Sequence, residues 1–193
     1  GLSLHEILDE AKKQDAVTIA PHPFSLMDAL REDSTYCDLF EVFNSSNVDV
    51  YSNIRAKKFA KEKSLHIVAG SDSHVQSSIG RSTNLIYSEN KLDSVIAAMK
   101  HRKITIENTG YVRPKEALEH IRYKIQNSAF FIDKYTAQFY PRALGPIKLL
   151  YKLYMINPEG IFWNMFYRMS IIALKRISKK INFEGYDHRL FRE

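Results

Sequence analysis

Ile67-Val68-Ala69-Gly70-Ser71-Asp72-Ser73-His74 passes from an apolar run directly into a polar one. The run reads as a buried strand over 66–70. In extended chain, residues two apart share a face, so Asp72 and His74 aim a carboxylate and an imidazole at one point. Zinc, manganese and iron(II) sites share those ligand types. A single Asp-x-His spacing also suits a polar turn in which Asp72 bonds its own backbone. The choice between the two readings therefore rests on the rest of the chain.

Two further stretches have the same form. Ala16-Val17-Thr18-Ile19-Ala20 reads as a strand and meets Pro21-His22-Pro23-Phe24, whose prolines stiffen the chain on both sides of His22. Leu39-Phe40-Glu41-Val42-Phe43 reads as a third strand and runs into Asn44-Ser45-Ser46-Asn47. All three polar clusters follow the carboxyl ends of strands. Barrels of alternating strands and helices build their sites at that face. Helices are predicted from Ser3, with Glu6 as capping-box partner, to about Gln14, over 49–64 and over 90–101. Two more strands are predicted at 83–87 and 104–107. The alternation predicts a mainly parallel sheet or barrel with helices outside.

Ala-Pro-His-Pro-Phe, Phe-Glu-Val-Phe-Asn and Ala-Gly-Ser-Asp-Ser-His, in this order, resemble the later motifs of the polymerase and histidinol phosphatase (PHP) superfamily. The resemblance covers about the first 110 residues. It implies a metal-dependent phosphoesterase on a distorted, seven-stranded α/β barrel, of which this chain holds a part. It implies metal ligation by His22, Asp72 and His74, with divalent zinc, manganese or iron as the ion. Glu41 and Asn44 take only a nearby role. The family opens with a His-x-His pair on its first strand, and no such pair lies upstream of His22. The chain, which starts at Gly1, is therefore expected to be the carboxyl-terminal portion of a longer protein and poorly active alone. The implied substrate is a phosphorylated small molecule or nucleotide. Ser71 and Ser73 either donate to its phosphate oxygens or satisfy the turn. Arg81 either pairs with the phosphate or is a solvated loop arginine.

Composition divides the chain. Residues 1–110 carry 13 Lys and Arg against 15 Asp and Glu, while residues 111–193 carry 15 against 7. Of the 23 aromatic residues, 16 follow residue 110. The shift marks a boundary near Gly110 between the barrel portion, 1–110, and a basic, aromatic-rich helical region, 111–193. Helices are predicted from Pro114 to about Phe131, from Pro146 to Met155 and from Glu159 to Ile181. The last has Phe162, Phe166, Met169, Ile172, Arg176 and Lys180 at helical spacing. Either its aromatics pack on the barrel as a cap, or the aromatic and cationic stripe meets a polyanion, an anionic membrane surface ahead of single-stranded nucleic acid.

No recognisable nucleic-acid motif is present, and no stretch of about 18 apolar residues suggests a spanning helix. Cys37, the single cysteine, excludes an intrachain disulfide and reads as a small apolar residue. A cytoplasmic protein, with peripheral membrane contact as an addition, is the expectation. Missing barrel strands would leave an open edge suited to self-association. The rival to an enzyme portion is a non-catalytic PHP remnant whose helical tail binds a partner or membrane.

Overall fold

The computed structural model describes residues 1–26 and 28–187. The last six residues of the region read as helical, His188 among them, lie outside the described residues. Ser3 caps the first helix, α1 (Leu4–Lys13), through the expected capping box: its hydroxyl accepts from Glu6 N, and Glu6 reaches back to Ser3 N. The first strand, β1, is only Ile19–Ala20. It is shorter than its apolar run because Asp38 takes over the ladder at Thr18. One Asp38 carboxylate oxygen accepts from both the Thr18 N–H and the Thr18 hydroxyl, at 2.8 and 2.7 Å. Pro21 ends the strand on the other side.

β2 (Leu39–Asn44) is buried along its whole length and is the central strand. It pairs in parallel with β1, Ile19 opposite Leu39, and with β3 (Ile67–Gly70), Phe40 opposite Ile67 and Asn44 opposite Gly70. The register slips between Glu41 and Phe43. Residues three apart in a regular strand face opposite ways. The extra residue brings Asn44 round to the side of Glu41.

The chain crosses between β2 and β3 through α2 (Tyr51–Lys63). Phe24, Phe40, Val42, Ala56, Phe59 and Ala60 form the core between sheet and helix. The rings of Phe24 and Phe59 meet edge to face at 5.1 Å.

Beyond β3 the chain departs from the expected pattern. β4 (Thr83–Ile86) and β5 (Ile104–Asn108), joined through α3 (Leu92–Lys100), pair antiparallel with each other. The Asn84 side-chain amide takes the place of a ladder between β3 and β4, accepting from Ala69 N at 2.9 Å and donating to Ala69 O at 2.7 Å. The fold is mixed α/β. Among the described residues five strands form two sheets and close no barrel, where the resemblance implies part of a seven-stranded one.

After Gly110 the chain is helical, with α4 (Pro114–Phe139), α5 (Leu144–Ile156) and α6 (Ile161–Phe183). Pro114 occupies the first turn of α4, and Pro146 lies in the first turn of α5. Tyr154 is buried, donates its hydroxyl to Leu118 O at 2.9 Å and meets Trp163 edge to face.

The end of α6 returns to the α/β part. The buried Asp49 carboxylate accepts from Ser52 N, Ser52 Oγ and Ser178 Oγ at 2.9, 3.0 and 2.5 Å. Asn182 donates to the Phe24 carbonyl at 3.3 Å and accepts from Arg31. The cap reading of α6 places its aromatics against the barrel. Instead Phe162 and Phe166 are 61% and 58% exposed, and Trp163 turns inward to Tyr154. What docks on the α/β part is the far end of the helix: Ser178, Ile181 and Asn182 are buried, and the Phe183 ring meets Tyr51 edge to face at 6.1 Å.

Candidate metal centre

The carboxyl ends of β1, β2 and β3 lie side by side, and the loops that leave them are bonded to one another. The Ser45 N–H donates to Gly70 O at 3.0 Å, and the Ser46 hydroxyl donates to Asp72 O at 3.1 Å. The short polar cluster after β2 thus holds the loop that carries Asp72 and His74.

Glu41 sits at the centre of this end and is 7% exposed. Its Oε2 accepts from His22 N at 2.5 Å and from Asn44 Nδ2 at 3.0 Å. Its Oε1 lies against Gly70, where a Cβ would come within 1.8 Å of it. Glycine at position 70 is required by that close approach. Desolvation pushes the Glu41 carboxyl up, against the hydrogen bonds from His22 and Asn44, and the Asp72 charge pushes the same way. Asn44 is a positioning residue: besides holding Glu41, its Oδ1 accepts from Ser46 N.

His22 is half-buried, with its Nδ1 3.3 Å from Ser25 Oγ. His22 and Asp72 adopt φ of 31° and 47°, conformations that non-glycine residues rarely take. Six other described non-glycine residues share that region, so positive φ here marks tight loops and not function by itself.

The structure brings Asp72 and His74 together, Oδ1 to Nε2 at 3.3 Å. His22 joins them through Glu41, on which the charges of both His22 and Asp72 act. Among the described residues, no three His, Cys, Asp or Glu side chains close on one point at metal-binding distance. The expected convergence of His22, Asp72 and His74 is therefore not present in this arrangement. His22 Nδ1 faces Ser25, while the ring face of His74 lies on His120. The His74 and His120 rings stack at 4.1 Å and within 6° of parallel.

His120, on α4, is a site residue that the sequence reading passed over, because it forms no pair with another histidine in the chain. Burial and the neighbouring His74 both lower its pKa, burial first. Asp72, His74 and His120 border a cavity of about 170 Å³, closed by Val112, Tyr167 and Ile171.

Two candidate phosphate contacts are committed elsewhere. The Ser71 hydroxyl donates to Ser82 O and accepts from Ser82 N, at 2.9 and 3.0 Å. It ties β3 to the start of β4 instead of facing a ligand. Arg81 is neither solvated nor placed for a phosphate: its guanidinium grips the buried Glu116 carboxylate through both Nε and Nη2. Ser73 is exposed.

Glu116 also accepts from Arg113 N and closes the first turn of α4. The Arg81 hydrogen bonds hold its carboxyl below the usual range. A carboxyl depressed in the folded state stabilises fully above its unfolded pKa of about 4.3, and this contribution is lost as pH falls through the folded value. Arg81→Gln is expected to lower stability at pH 7 by about 2 kcal/mol, the scale of hydrogen bonds to charged groups. It should also flatten the loss of melting temperature on acidification. Thermal melts between neutral and strongly acidic pH check both; an unchanged acid slope in the variant would contradict the assignment.

The donor set suits a divalent cation. Imidazole nitrogens and carboxylate oxygens at adjacent strand ends are ligand types that divalent metal sites use. A buried Glu41 pushed up by desolvation and by Asp72 is a charge that a cation would relieve.

Residues 50–104 match the family model of the PHP-associated region. An uncharacterized protein from Methanocaldococcus jannaschii is 29% identical over 134 residues, which cover 64% of this chain and 50% of that protein. The chain thus spans about half the length of that curated relative. No solved structure gives a significant match. The matched segment holds α2, β3, the loop of Asp72 and His74 and α3, so the similarity to the PHP-associated family is carried by this part of the chain.

Proposed function

We propose that this chain supplies part of the centre of a metal-dependent phosphoesterase, which hydrolyses the phosphate ester of a small molecule or nucleotide with water. The observation that supports this reading most is the Asp72–His74 pair at the end of β3, set beside a buried carboxylate, Glu41, that the His22 backbone and Asn44 hold in place. His22, Asp72 and His74 are the ligand candidates. When bound, a divalent ion supplies a lowered water pKa and screens phosphate charge.

The chain's own residues prepare that site. Glu41 fixes the His22 loop against β2, and Ser46 fixes the backbone of Asp72. His120 stacks on His74 and sets its ring plane. With Ser71 and Arg81 bonded elsewhere, Ser73 is the hydroxyl of this loop left to meet a phosphate oxygen.

Because the three ligand candidates come from only two strand ends, those of β1 and β3, residues 1–193 alone are expected to hydrolyse a generic aryl phosphate poorly, even with added manganese or zinc. Turnover assays with and without metal test this. Brisk metal-dependent turnover by residues 1–193, abolished by Asp72→Ala, would show that the site is already complete.

A further inference from the structure

The fold leaves one surface without a role. α6 uses one side inwardly: Trp163 meets Tyr154, and Ser178 and Asn182 bond Asp49 and Phe24. At 100° per residue, Phe162, Phe166, Met169 and Ile172 lie on the opposite side. They are 55 to 67% exposed. The stripe does not end in apolar residues. Continued by the same spacing it reaches Arg176 and Lys180, both exposed, with Arg168 and Lys179 on its flank. α5 repeats the arrangement, with Leu149, Leu153 and Ile156 exposed at helical spacing and Lys148 and Lys152 beside them.

Charge decides what such a face can meet. α5 and α6 together contain seven Lys and Arg and no Asp or Glu. A second copy would bring the same cations opposite these. An anionic bilayer surface offers complementary charge and an apolar layer beneath it. Long cationic side chains lay their stems along apolar surface and keep their charges in the headgroup layer. No helix among the described residues is long and apolar enough to cross a membrane, so the geometry is that of a helix lying on it. The docking of Ser178 and Asn182 on the α/β part keeps the stripe turned outward while the chain stays folded.

We infer that the outer face of α6, extended by α5, binds the surface of membranes rich in anionic lipid. Residues 1–193 should co-sediment with vesicles of phosphatidylcholine carrying about 30% phosphatidylserine at ~0.02 M salt and be released at ~0.5 M. Vesicles of phosphatidylcholine alone should retain much less. Replacing Lys175, Arg176, Lys179 and Lys180 by Gln should weaken partitioning by at least about 100-fold. Replacing Met165, Met169 and Ile172 by Ser, all more than half exposed, should abolish it while circular dichroism and melting temperature hold. No sedimentation at low salt would overturn the inference, as would equal binding to neutral vesicles. A two-chain mass in light scattering that the Ser variant reduces to one would assign the face to a second copy and overturn it too. Loss of vesicle binding in a longer chain that carries the rest of the barrel would assign the face to the added segment, with the same consequence.

Discussion

His74→Ala, placed in a longer chain that supplies the remaining barrel strands, is expected to lower metal-dependent phosphoesterase turnover by several orders of magnitude. A lost ligand empties or misplaces the ion, and with it goes the activated water. The structure sharpens the expectation. His74 has two contacts, Asp72 at 3.3 Å and the stacked ring of His120. If His74 only braced α4, its loss would cost stability and leave turnover per folded molecule unchanged. His120→Ala separates the roles. It removes the stack but no proposed ligand, and should weaken metal affinity by about 10-fold, as lost outer-shell support does. Equal turnover in His74→Ala and the parent chain, both fully folded, would remove His74 from the centre.

Gly70→Ala should be the most damaging of the small substitutions. The new Cβ would stand 1.8 Å from Glu41 Oε1, so the carboxylate must move. It cannot move freely, because its other oxygen holds His22 N and Asn44 Nδ2 in a buried place. Breaking those bonds leaves a buried charge and two donors without partners, at a cost of about 3 to 5 kcal/mol. The metal site would lose the brace on the His22 loop at the same time. A double-mutant cycle tests the cause. Glu41→Ala should be destabilising alone, yet Gly70→Ala added to it should cost little, since the clashing atom is gone. Additive effects from denaturant unfolding would place the damage elsewhere.

The parts legible in the sequence were those set by local pattern. The apolar runs at 39–43 and 66–70 marked β2 and β3 to within a residue, and Ser3 with Glu6 marked the start of α1. The polar clusters after β2 and β3 lie side by side and are bonded to each other, as their place after adjacent strands implies. What failed depends on distant partners. Apolar periodicity carries no strand direction, so neither the antiparallel pairing of β4 with β5 nor the Asn84 side-chain link to β3 could be read. Arg81 reads as a free loop cation until α4 brings Glu116 to it, 35 residues on. His120 looks isolated because its partner lies on another element. An apolar stripe on a helix reads the same whether it faces a core or solvent, which is why Phe162 and Phe166 were open to both readings.

Zinc titration of residues 1–193, followed through the imidazole C–H resonances, tests the central claim most directly. The account predicts that zinc shifts or broadens the signals of His22 and His74, leaves those of His5, His66 and His101 in place, and binds at least about 100-fold more weakly after Asp72→Ala. Zinc binding that spares His22 and His74, or is unchanged by Asp72→Ala, would contradict a metal centre at the ends of β1, β2 and β3.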